Sequence, residues 1–310
     1  MNLISKNKNF DSVEYINNGI DCVIIKNAVY FEPSDVFDCG QCFRFNLNKT
    51  SGEYYEGVAF SKYIRVYKKD GDIYIENSTR EDFESIWHDF FGLDRDYGEI
   101  MRSFKNYGRD DALKKAMEFC PGIRIMRQEL FECLISYIIS QHNNIPRIKI
   151  IVERLCANFG EEFFVNGEKF YSFPTPEKII ENADKLDIIK SGFRGKYIYD
   201  AAKKIADGEI NLESVYDMTT ENGVEYLMKI KGVGPKVASC VMLFGYNRLD
   251  AFPIDVWVDR ILEKYYSASF SSDDIAETFG IYSGAAQQYL FHYERTKERK
   301  NERTSEGKIN

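Results

Sequence analysis

Residues 226–262 read YLMKIKGVGPKVASCVMLFGYNRLDAFPIDVWVDRIL. Apolar residues recur at helical spacing before and after a break at residues 231–235, so this segment predicts two helices joined by a tight turn. Gly232 and Gly234 allow backbone angles that a Cβ would forbid, and Pro235 suits the first position of the second helix. The free N–H groups of such a helix start can bind a phosphate without reading sequence.

A lysine and an aspartate follow this turn. Lys236 comes directly after Pro235, and Asp255 lies within Phe252-Pro253-Ile254-Asp255. Because proline disfavours helical conformation in the residue before it, we expect Asp255 at or next to a helix start. The combination G-V-G-P-K followed by P-x-D resembles the helix-hairpin-helix DNA glycosylases. In that superfamily the matching aspartate is catalytic, and a matching lysine marks members that also cleave the DNA strand.

The charge of the chain bears on its partners. With 310 residues and a net charge of −8, the chain is unlike proteins that coat nucleic acid, which neutralise many phosphates. Basic residues are nevertheless concentrated in the middle of the chain, and we expect them to share one face, the alternative being scattered solvated charges. They are Arg124, Arg127, Arg147, Lys149, Arg194, Lys196, Lys229, Lys231 and Lys236.

Cysteine usage indicates the compartment. The seven cysteines lack the spacing of a disulfide framework, and the first residues, MNLISKNKNF, do not form a signal peptide. We therefore expect a cytoplasmic protein, associated with the nucleoid if the source is bacterial. Cys39 and Cys42 form a C-x-x-C pair that could bind a metal, but a second pair does not follow.

The hydrophobic pattern predicts an α+β fold. From about residue 20 to 77 the sequence alternates like an antiparallel sheet, with strands that include 28–31 and a hairpin turn at Asp70-Gly71. Helical periodicity dominates afterwards. We predict an N-terminal β domain with flanking helices over 1–118 and a helical region over 119–310, which contains the hairpin at 226–244. We expect the active site in a cleft between helical subdomains. The last helix, over 284–295, returns to this cleft, and residues 296–310 form a frayed tail.

Four further motifs resemble the 8-oxoguanine DNA glycosylases within this superfamily. The first is Gly40-Gln41-Cys42-Phe43-Arg44, similar to the family's G-Q-x-F-R. The resemblance implies that the Gly40 carbonyl accepts the N7–H proton, which 8-oxoguanine has and guanine lacks. A glycine suits this role because a side chain would hold the backbone away from the base. A turn glycine before a strand is the alternative interpretation.

Two motifs correspond to the part of the family that replaces the extruded base. The segment His142-Asn143-Asn144-Ile145-Pro146-Arg147 is similar to N-N-N-I-A-R, and Gly192-Phe193-Arg194 is similar to G-Y-R. The resemblance implies that Phe193 is a wedge, that Arg147 and Arg194 read the orphaned cytosine, and that His142 and Asn143 fill the gap. His142 and Phe193 replace an asparagine and a tyrosine of the family pattern, so reading of the opposite base could be relaxed.

The fourth motif is Gln287-x-x-x-Phe291, whose two side chains share one face of a helix. In the family the glutamine binds the Watson–Crick edge of the lesion and the phenylalanine stacks on it. Cys240, one turn beyond Lys236, would pack against the other face of the base. By themselves these residues would be interpreted as core.

The resemblance also implies a phosphate site and a mechanism. Residues Gly232, Gly234, Val237 and Trp257 would contact DNA phosphates, although Trp257 replaces the histidine of eukaryotic relatives and could equally be core. Lys236 would attack C1′ of the sugar and form a Schiff base, while Asp255 stabilises the positive charge. The chemistry requires neither a metal nor another cofactor. A monovalent cation could be held by the backbone carbonyls of Met228, Ile230 and Val233.

The sequence therefore predicts a bifunctional 8-oxoguanine DNA glycosylase and AP lyase of base excision repair. Its expected partner is double-stranded DNA that contains 8-oxoguanine, preferably opposite cytosine, and we expect a monomer without a transmembrane segment. An alkylated-base glycosylase of the same superfamily is one alternative. The other is a non-catalytic DNA-binding protein, which would leave Asp255, Gly40, Gln287 and Phe291 unexplained.

Overall fold

The computed structural model describes residues 9–106, 111–266 and 270–306. An antiparallel sheet comes first and is followed by a mostly helical region, so the predicted α+β fold is confirmed. None of the helices in the described part of the chain combines the length and the apolar character needed to cross a membrane.

Six strands form the N-terminal sheet in the order β1-β2-β6-β5-β4-β3, and all neighbours are antiparallel. They are β1 (Ser12–Asn17), β2 (Asp21–Lys26), β3 (Phe45–Leu47), β4 (Tyr55–Ala59), β5 (Lys62–Lys69) and β6 (Asp72–Glu76). Asp70 and Gly71 form the predicted hairpin turn, with φ of +52° and +88°. The prediction missed β1, an edge strand whose side chains are half-buried or exposed.

One predicted strand is wrong. Residues 28–31 connect β2 to a short helix instead of pairing. Asn27 and Tyr30 both have positive φ, +51° and +53°, and this conformation turns the chain out of the sheet. The β-branched and aromatic composition of the segment reflects burial of Phe31 against Phe91, with ring centroids 5.1 Å apart.

Helices cover one face of the sheet and then build the rest of the molecule. Near the sheet lie α1 (Pro33–Phe37), α2 (Arg80–Asp82), a continuous π-helical turn (Phe83–Trp87) and α3 (His88–Phe90). The later helices are α4 (Tyr97–Asn106), α5 (Asp111–Phe119), α6 (Leu130–Ser140), α7 (Ile145–Phe159), α8 (Pro176–Glu181), α9 (Gly195–Ala206), α10 (Thr220–Leu227), α11 (Pro235–Phe244), α12 (Val256–Tyr265), α13 (Ser272–Phe279) and α14 (Ser283–Glu306). A small hairpin of β7 (Glu162–Val165) and β8 (Glu168–Tyr171) follows α7.

Two hydrophobic clusters underlie this architecture. The first lies between the sheet and its helices and is built around Trp87, Phe90 and Phe91. The second joins the helices and includes residues of α4 and α5 as well as Cys39 and Phe43 from the loop before β3. This loop therefore reaches from the sheet into the helical region. The domain boundary at residue 118 remains a prediction.

The last helix is longer than predicted. It runs through Ser283–Glu306, whereas we expected helix over 284–295 and a frayed tail from 296. Residues 296–306 contain neither glycine nor proline, and they are rich in lysine, arginine and glutamate, which favour helix. High charge was mistaken for the absence of structure. The final four residues of the predicted tail, 307–310, lie outside the described residues.

Candidate active site

A cavity of about 300 Å³ lies where the loop before β3 meets α6, α11, α12 and α14. Its volume is at the lower end of the range for sites that bind small molecules. Of the residues predicted to form the site, eight line this cavity: Gly40, Asn143, Lys236, Cys240, Asp255, Trp257, Gln287 and Phe291. The structure therefore brings together residues that are separated by up to 251 positions (291 − 40) in the chain.

Lys236 occupies the second position of α11, directly after Pro235 at the helix start. Its side chain is half-buried. The Nζ atom lies 3.4 Å from Oγ of Ser140 and 5.5 Å from the ring centroid of Tyr137. Both of these neighbours belong to α6, so one wall of the cavity orients the amine.

Asp255 is the N-cap of α12, as predicted. Its Oδ1 accepts hydrogen bonds from the backbone N–H of Trp257 (2.9 Å) and of Val258 (3.0 Å). These bonds satisfy N–H groups that lack partners inside the helix, and they fix the plane of the carboxylate.

Cys240 is buried one turn after Lys236. Burial raises the pKa of its thiol to about 11; the Lys236 ammonium opposes this rise, and the Asp255 carboxylate adds to it. The charges of Lys236 and Asp255 therefore both affect the pKa of the Cys240 thiol. Lys236, Cys240 and Asp255 all line the same cavity.

Three of the residues predicted to bind the base, Gly40, Gln287 and Phe291, reach the cavity from the loop before β3 and from α14. Gly40 has φ of +86°, and a Cβ at this position would come within 2.8 Å of Ile145 Cδ1 and 3.6 Å of Phe291 Cε1. Glycine is thus favoured chiefly by the backbone angle, because the end of the Ile145 side chain could move aside for a Cβ. Gln287 is buried, and its Oε1 lacks a hydrogen-bond partner among the described residues. A buried acceptor in that state is costly unless a ligand supplies a donor.

Buried polar residues hold the Gly40 loop in place. The Gln41 side chain is fully buried; its Nε2 donates to the carbonyls of Arg124 (2.7 Å) and Val36 (3.0 Å), and its Oε1 accepts from Met126 N–H (3.0 Å). Arg44 forms a buried ion pair with Glu132 of α6, 3.5 Å apart. The polar residues of the G-Q-x-F-R motif therefore anchor the loop between the sheet and the helical region.

The residues predicted to read the opposite base lie in the loop between α6 and α7, in the first turn of α7, and in the 3-10 turn (Gly192–Arg194) that precedes α9. His142 and Arg147 are exposed, Phe193 is 50% exposed, and Asn143 Nδ2 donates to the Ile139 carbonyl over 3.3 Å. Arg194 is buried. Its guanidinium donates from Nε to the Gln141 carbonyl (2.8 Å) and from one terminal nitrogen to the His142 carbonyl (3.1 Å). Arg194 thus holds the loop between α6 and α7 in place.

The glycine turn between α10 and α11 is braced by α9. Gly232 has φ of +82°, and a Cβ there would lie only 2.3 Å from the ring of Tyr197. The N–H of Lys231 donates to an Asp200 carboxylate oxygen over 2.8 Å, and Lys204 Nζ donates to the Lys229 carbonyl over 2.5 Å. One face of α9 therefore fixes the turn that would grip a phosphate.

Gly234 does not need its predicted backbone freedom. Its φ is −98° in extended backbone, which any residue can adopt, and nothing lies within 4 Å of an added Cβ. The side chain of Val237 is buried in the helical core, so only its backbone N–H could reach a phosphate. Trp257 is half-buried at the edge of the cavity, and the Arg260 guanidinium lies 5.9 Å from its ring centroid.

The carbonyls proposed for a monovalent cation belong to this same turn. Hard cations prefer oxygen ligands, and backbone carbonyls are among them. The carbonyl of Ile230 accepts the N–H of Val233 over 3.0 Å and retains its second lone pair. Backbone oxygens of Met228, Ile230 and Val233 are of the ligand type that such a cation would take.

Sequence reasoning missed some residues of the site and misplaced others. Tyr137, Ser140, Gln288 and Arg295 also line the cavity. Tyr137 belongs to an apolar helical stripe, and such a stripe predicts a core residue. The helical pattern does not reveal that Tyr137 also lines the cavity. Arg124 was wrongly expected on the basic face: it is fully buried, and its Nε donates to the Phe91 carbonyl over 2.9 Å.

Other groups singled out in the sequence have structural roles. Arg127 pairs with Asp94 over 2.7 Å, and Lys149 donates to the Phe45 carbonyl over 2.6 Å. The Cys39 thiol is buried in the helical cluster and the Cys42 thiol in the sheet cluster. Within the described ranges, a group of three or more side chains able to hold a metal ion is not found.

Two family models match consecutive parts of the chain. Residues 23–134 match the 8-oxoguanine DNA glycosylase, N-terminal domain, and residues 135–279 match the HhH-GPD superfamily base excision DNA repair protein. Among curated proteins, an N-glycosylase/DNA lyase of Saccharomyces cerevisiae is 39% identical over 169 residues. This match covers 50% of the present chain and 45% of the yeast protein.

Solved structures extend the similarity to almost the whole chain. An 8-oxoguanine glycosylase/lyase of Clostridium acetobutylicum, crystallised with dsDNA containing cytosine opposite 8-oxoG, is 40% identical with a TM-score of 0.87. The match covers 94% of this chain and 99% of that one. MBOgg1 in complex with a low affinity DNA ligand is 39% identical with a TM-score of 0.86, covering 93% and 100%. The chain therefore belongs to the 8-oxoguanine glycosylase/lyase family of the HhH-GPD superfamily of base excision DNA repair proteins.

Proposed function

We propose that this chain is a bifunctional DNA glycosylase and AP lyase that excises 8-oxoguanine from duplex DNA. The observation that carries the proposal is the convergence of an amine, a carboxylate and a buried, unsatisfied amide oxygen on one cavity. These groups are Lys236, Asp255 and Gln287. A non-catalytic DNA-binding module would need none of them.

The nucleotide must leave the helix before Lys236 can reach it. A base stacked in a duplex does not expose C1′, so the enzyme extrudes it at a cost of a few kcal/mol. Contacts in the cavity and at the phosphates offset this cost. In our proposal Gly232, Gly234, the backbone of Val237 and Trp257 contact the phosphates beside the extruded nucleotide, and the carbonyls of Met228, Ile230 and Val233 hold a monovalent cation that shapes this site.

The reaction takes place at the sugar. The neutral amine of Lys236 attacks C1′, the bond from C1′ to the base breaks, and the base leaves with the bonding electrons and takes up a proton. The amine loses its protons as the sugar ring opens, which gives a Schiff base. Removal of a C2′ proton then expels the 3′ phosphate by β-elimination, and water finally releases Lys236. Asp255 stabilises the positive charge that develops on the sugar.

Recognition of the lesion uses mainly residues of the loop before β3 and of α14. We propose that the Gly40 carbonyl accepts N7–H and that Gln287 binds the Watson–Crick edge, which would supply the donor that its Oε1 lacks in the protein. Phe291 and Cys240 would enclose the two faces of the base. Guanine has no proton on N7, so it would present a lone pair to the carbonyl and be rejected.

The other strand would be read by the loop and the wedge. Phe193, half of whose surface is exposed, would insert beside the estranged cytosine. His142 and Asn143 would fill the gap, and Arg147 would donate to the cytosine. Arg194 could join it only by exchanging its bonds to the Gln141 and His142 carbonyls for bonds to the base.

We further propose that the enzyme acts as a monomer in the cytoplasm. Lys236, Asp255 and Gln287 meet in a cavity within a single chain, so the proposed chemistry does not require residues from a second copy. The seven cysteines are free and buried, as in a reducing compartment. Analytical ultracentrifugation with and without a DNA duplex would test the stoichiometry; a dimer in both samples would contradict the proposed monomer.

The proposed activity is tested with duplexes that carry one 8-oxoguanine opposite C, A, G or T. We expect excision opposite cytosine to be fastest, with strand breaks before alkali treatment because the lyase step follows. Breaks that appear only after alkali would refute the lyase function. Duplexes with an alkylated purine serve as the control, since their preferential cleavage would favour an alkylated-base glycosylase.

A further inference from the structure

Tyr137 contacts both Lys236 and the loop that contains Gly40. It lies on α6, is 4% exposed, and lines the cavity beside Lys236 and Gly40. Its hydroxyl lies 3.1 Å from the Gln41 carbonyl oxygen and 3.4 Å from that of Gly40. Burial raises the pKa of this phenol well above its usual range, so the hydroxyl remains a hydrogen-bond donor at any working pH.

The two carbonyls differ in what else they bind. The Gln41 carbonyl also accepts Gln128 Nε2 over 2.7 Å, so two side chains hold it from the protein side. The Gly40 carbonyl receives only the longer contact from the Tyr137 hydroxyl among the hydrogen bonds of the described residues. These bonds hold the peptide between Gln41 and Cys42, directly after the Gly40 peptide, and they leave the Gly40 oxygen able to accept a ligand proton.

The ring of Tyr137 is fixed as firmly as its hydroxyl. It stacks on Phe244 with centroids 5.5 Å apart and an angle of 10° between the planes, and it meets Phe43 edge to face at 5.7 Å. Lys236 Nζ lies 5.5 Å from its centroid, within the range of a cation–π contact. The same side chain therefore contacts both the nucleophile and the carbonyl that would read the lesion.

We propose that Tyr137 is a positioning residue that determines specificity for the oxidised base, because its hydroxyl bonds the Gln41 carbonyl and contacts the Gly40 carbonyl, and so fixes the loop that directs the Gly40 oxygen toward N7–H. Its ring separately restrains Lys236. The inference rests on the proposed function. It predicts that the hydroxyl matters for base excision and not for the lyase step on a DNA that has already lost its base.

The test compares two single-turnover reactions of Tyr137→Phe. On an 8-oxoguanine duplex we expect the rate to fall about fivefold to tenfold, the effect of one ordinary hydrogen bond. On a duplex with a preformed abasic site, cleavage should stay within about twofold of the wild type, because the ring and Lys236 remain. Tyr137→Leu also removes the ring, so it should slow both reactions.

Tyr246→Phe is a matched control. Tyr246 is equally buried, at 5% exposure, and its hydroxyl donates to the Leu212 carbonyl over 2.8 Å away from the cavity. It should lose a similar amount of stability and leave the ratio of the two rates unchanged. If Tyr137→Phe alters neither rate, or lowers both to the same degree, the positioning role is wrong. If the wild type itself cleaves abasic DNA but leaves 8-oxoguanine in place, the proposed function fails first.

Discussion

Asp255 performs two tasks with one carboxylate, and two substitutions separate them. It caps α12 through bonds of 2.9 and 3.0 Å to backbone N–H groups, and it lies in the cavity with Lys236. Asparagine is as good an N-cap as aspartate, so Asp255→Asn should cost at most a few tenths of a kcal/mol, whereas Asp255→Ala should cost about 1 kcal/mol. For a chain of this size that loss lowers Tm by about 2 °C.

Both variants remove the negative charge that would stabilise the developing sugar cation. A preorganised electrostatic contact of this kind is typically worth a factor of about 100 to 1000 in rate. We therefore expect Asp255→Asn and Asp255→Ala to lose a similar, large part of their excision rate while differing in stability. The amide cannot supply the missing charge, although it preserves the shape of the cap.

The assay combines thermal unfolding with single-turnover excision on a duplex that carries 8-oxoguanine opposite cytosine. Excision is measured with enzyme in excess, so that product release does not limit the rate. An Asp255→Asn protein with more than about a third of the wild-type rate would refute the electrostatic role, since the expected loss is at least 100-fold. A large loss of stability in Asp255→Asn would show that the capping argument is wrong.

Three other predictions follow from the structure. Gly232→Ala should lower Tm by several degrees because its Cβ would lie 2.3 Å from the Tyr197 ring at a φ of +82°, whereas Gly234→Ala, which meets open space, should not; thermal unfolding of both variants checks this. Phe193→Tyr should sharpen the preference for cytosine in excision assays opposite all four bases, and an unchanged preference would count against a hydroxyl contact. Burial raises the pKa of Asp35 to about 6, so the folded protein binds a proton at this carboxyl more tightly than the unfolded chain does. The contribution of Asp35 to the free energy of unfolding is therefore fully present below about pH 4. It falls by on the order of 2–3 kcal/mol as the pH rises through about 6. Asp35→Asn should lack this slope in unfolding titrations between pH 4 and 7, and an equal slope would contradict the assignment.

Local signals in the sequence predicted the hairpin and the cap correctly. The glycines, Pro235 and Pro253 act on their own neighbours, so the turn at 231–235 and the position of Asp255 at a helix start could be inferred without tertiary structure. The resemblance then assigned Gly40, Gln287 and Phe291 to one site. The structure brings these three to the same cavity.

The burial of individual charged residues and the contacts between distant parts of the chain could not be predicted from the sequence. Arg124 has the same charge as an exposed arginine, and only its bonds to the carbonyls of Phe91, Gly92 and Tyr30 show that it is structural. Tyr137 occurs in an apolar stripe that predicts core, and its packing against Phe244 agrees with this. Its contacts with Gly40 and Gln41 join residues more than 90 positions apart, which no periodic pattern encodes.

Covalent trapping with borohydride tests most directly whether Lys236 forms the Schiff base. The reductant converts the imine between Lys236 and C1′ into a stable amine, so wild-type protein on an 8-oxoguanine duplex should give a protein–DNA adduct. Peptide mapping should find that adduct on Lys236. Lys236→Gln should bind the duplex but give neither adduct nor strand break. An adduct on another residue, or a Lys236→Gln protein that cleaves the duplex like the wild type, would contradict the mechanism.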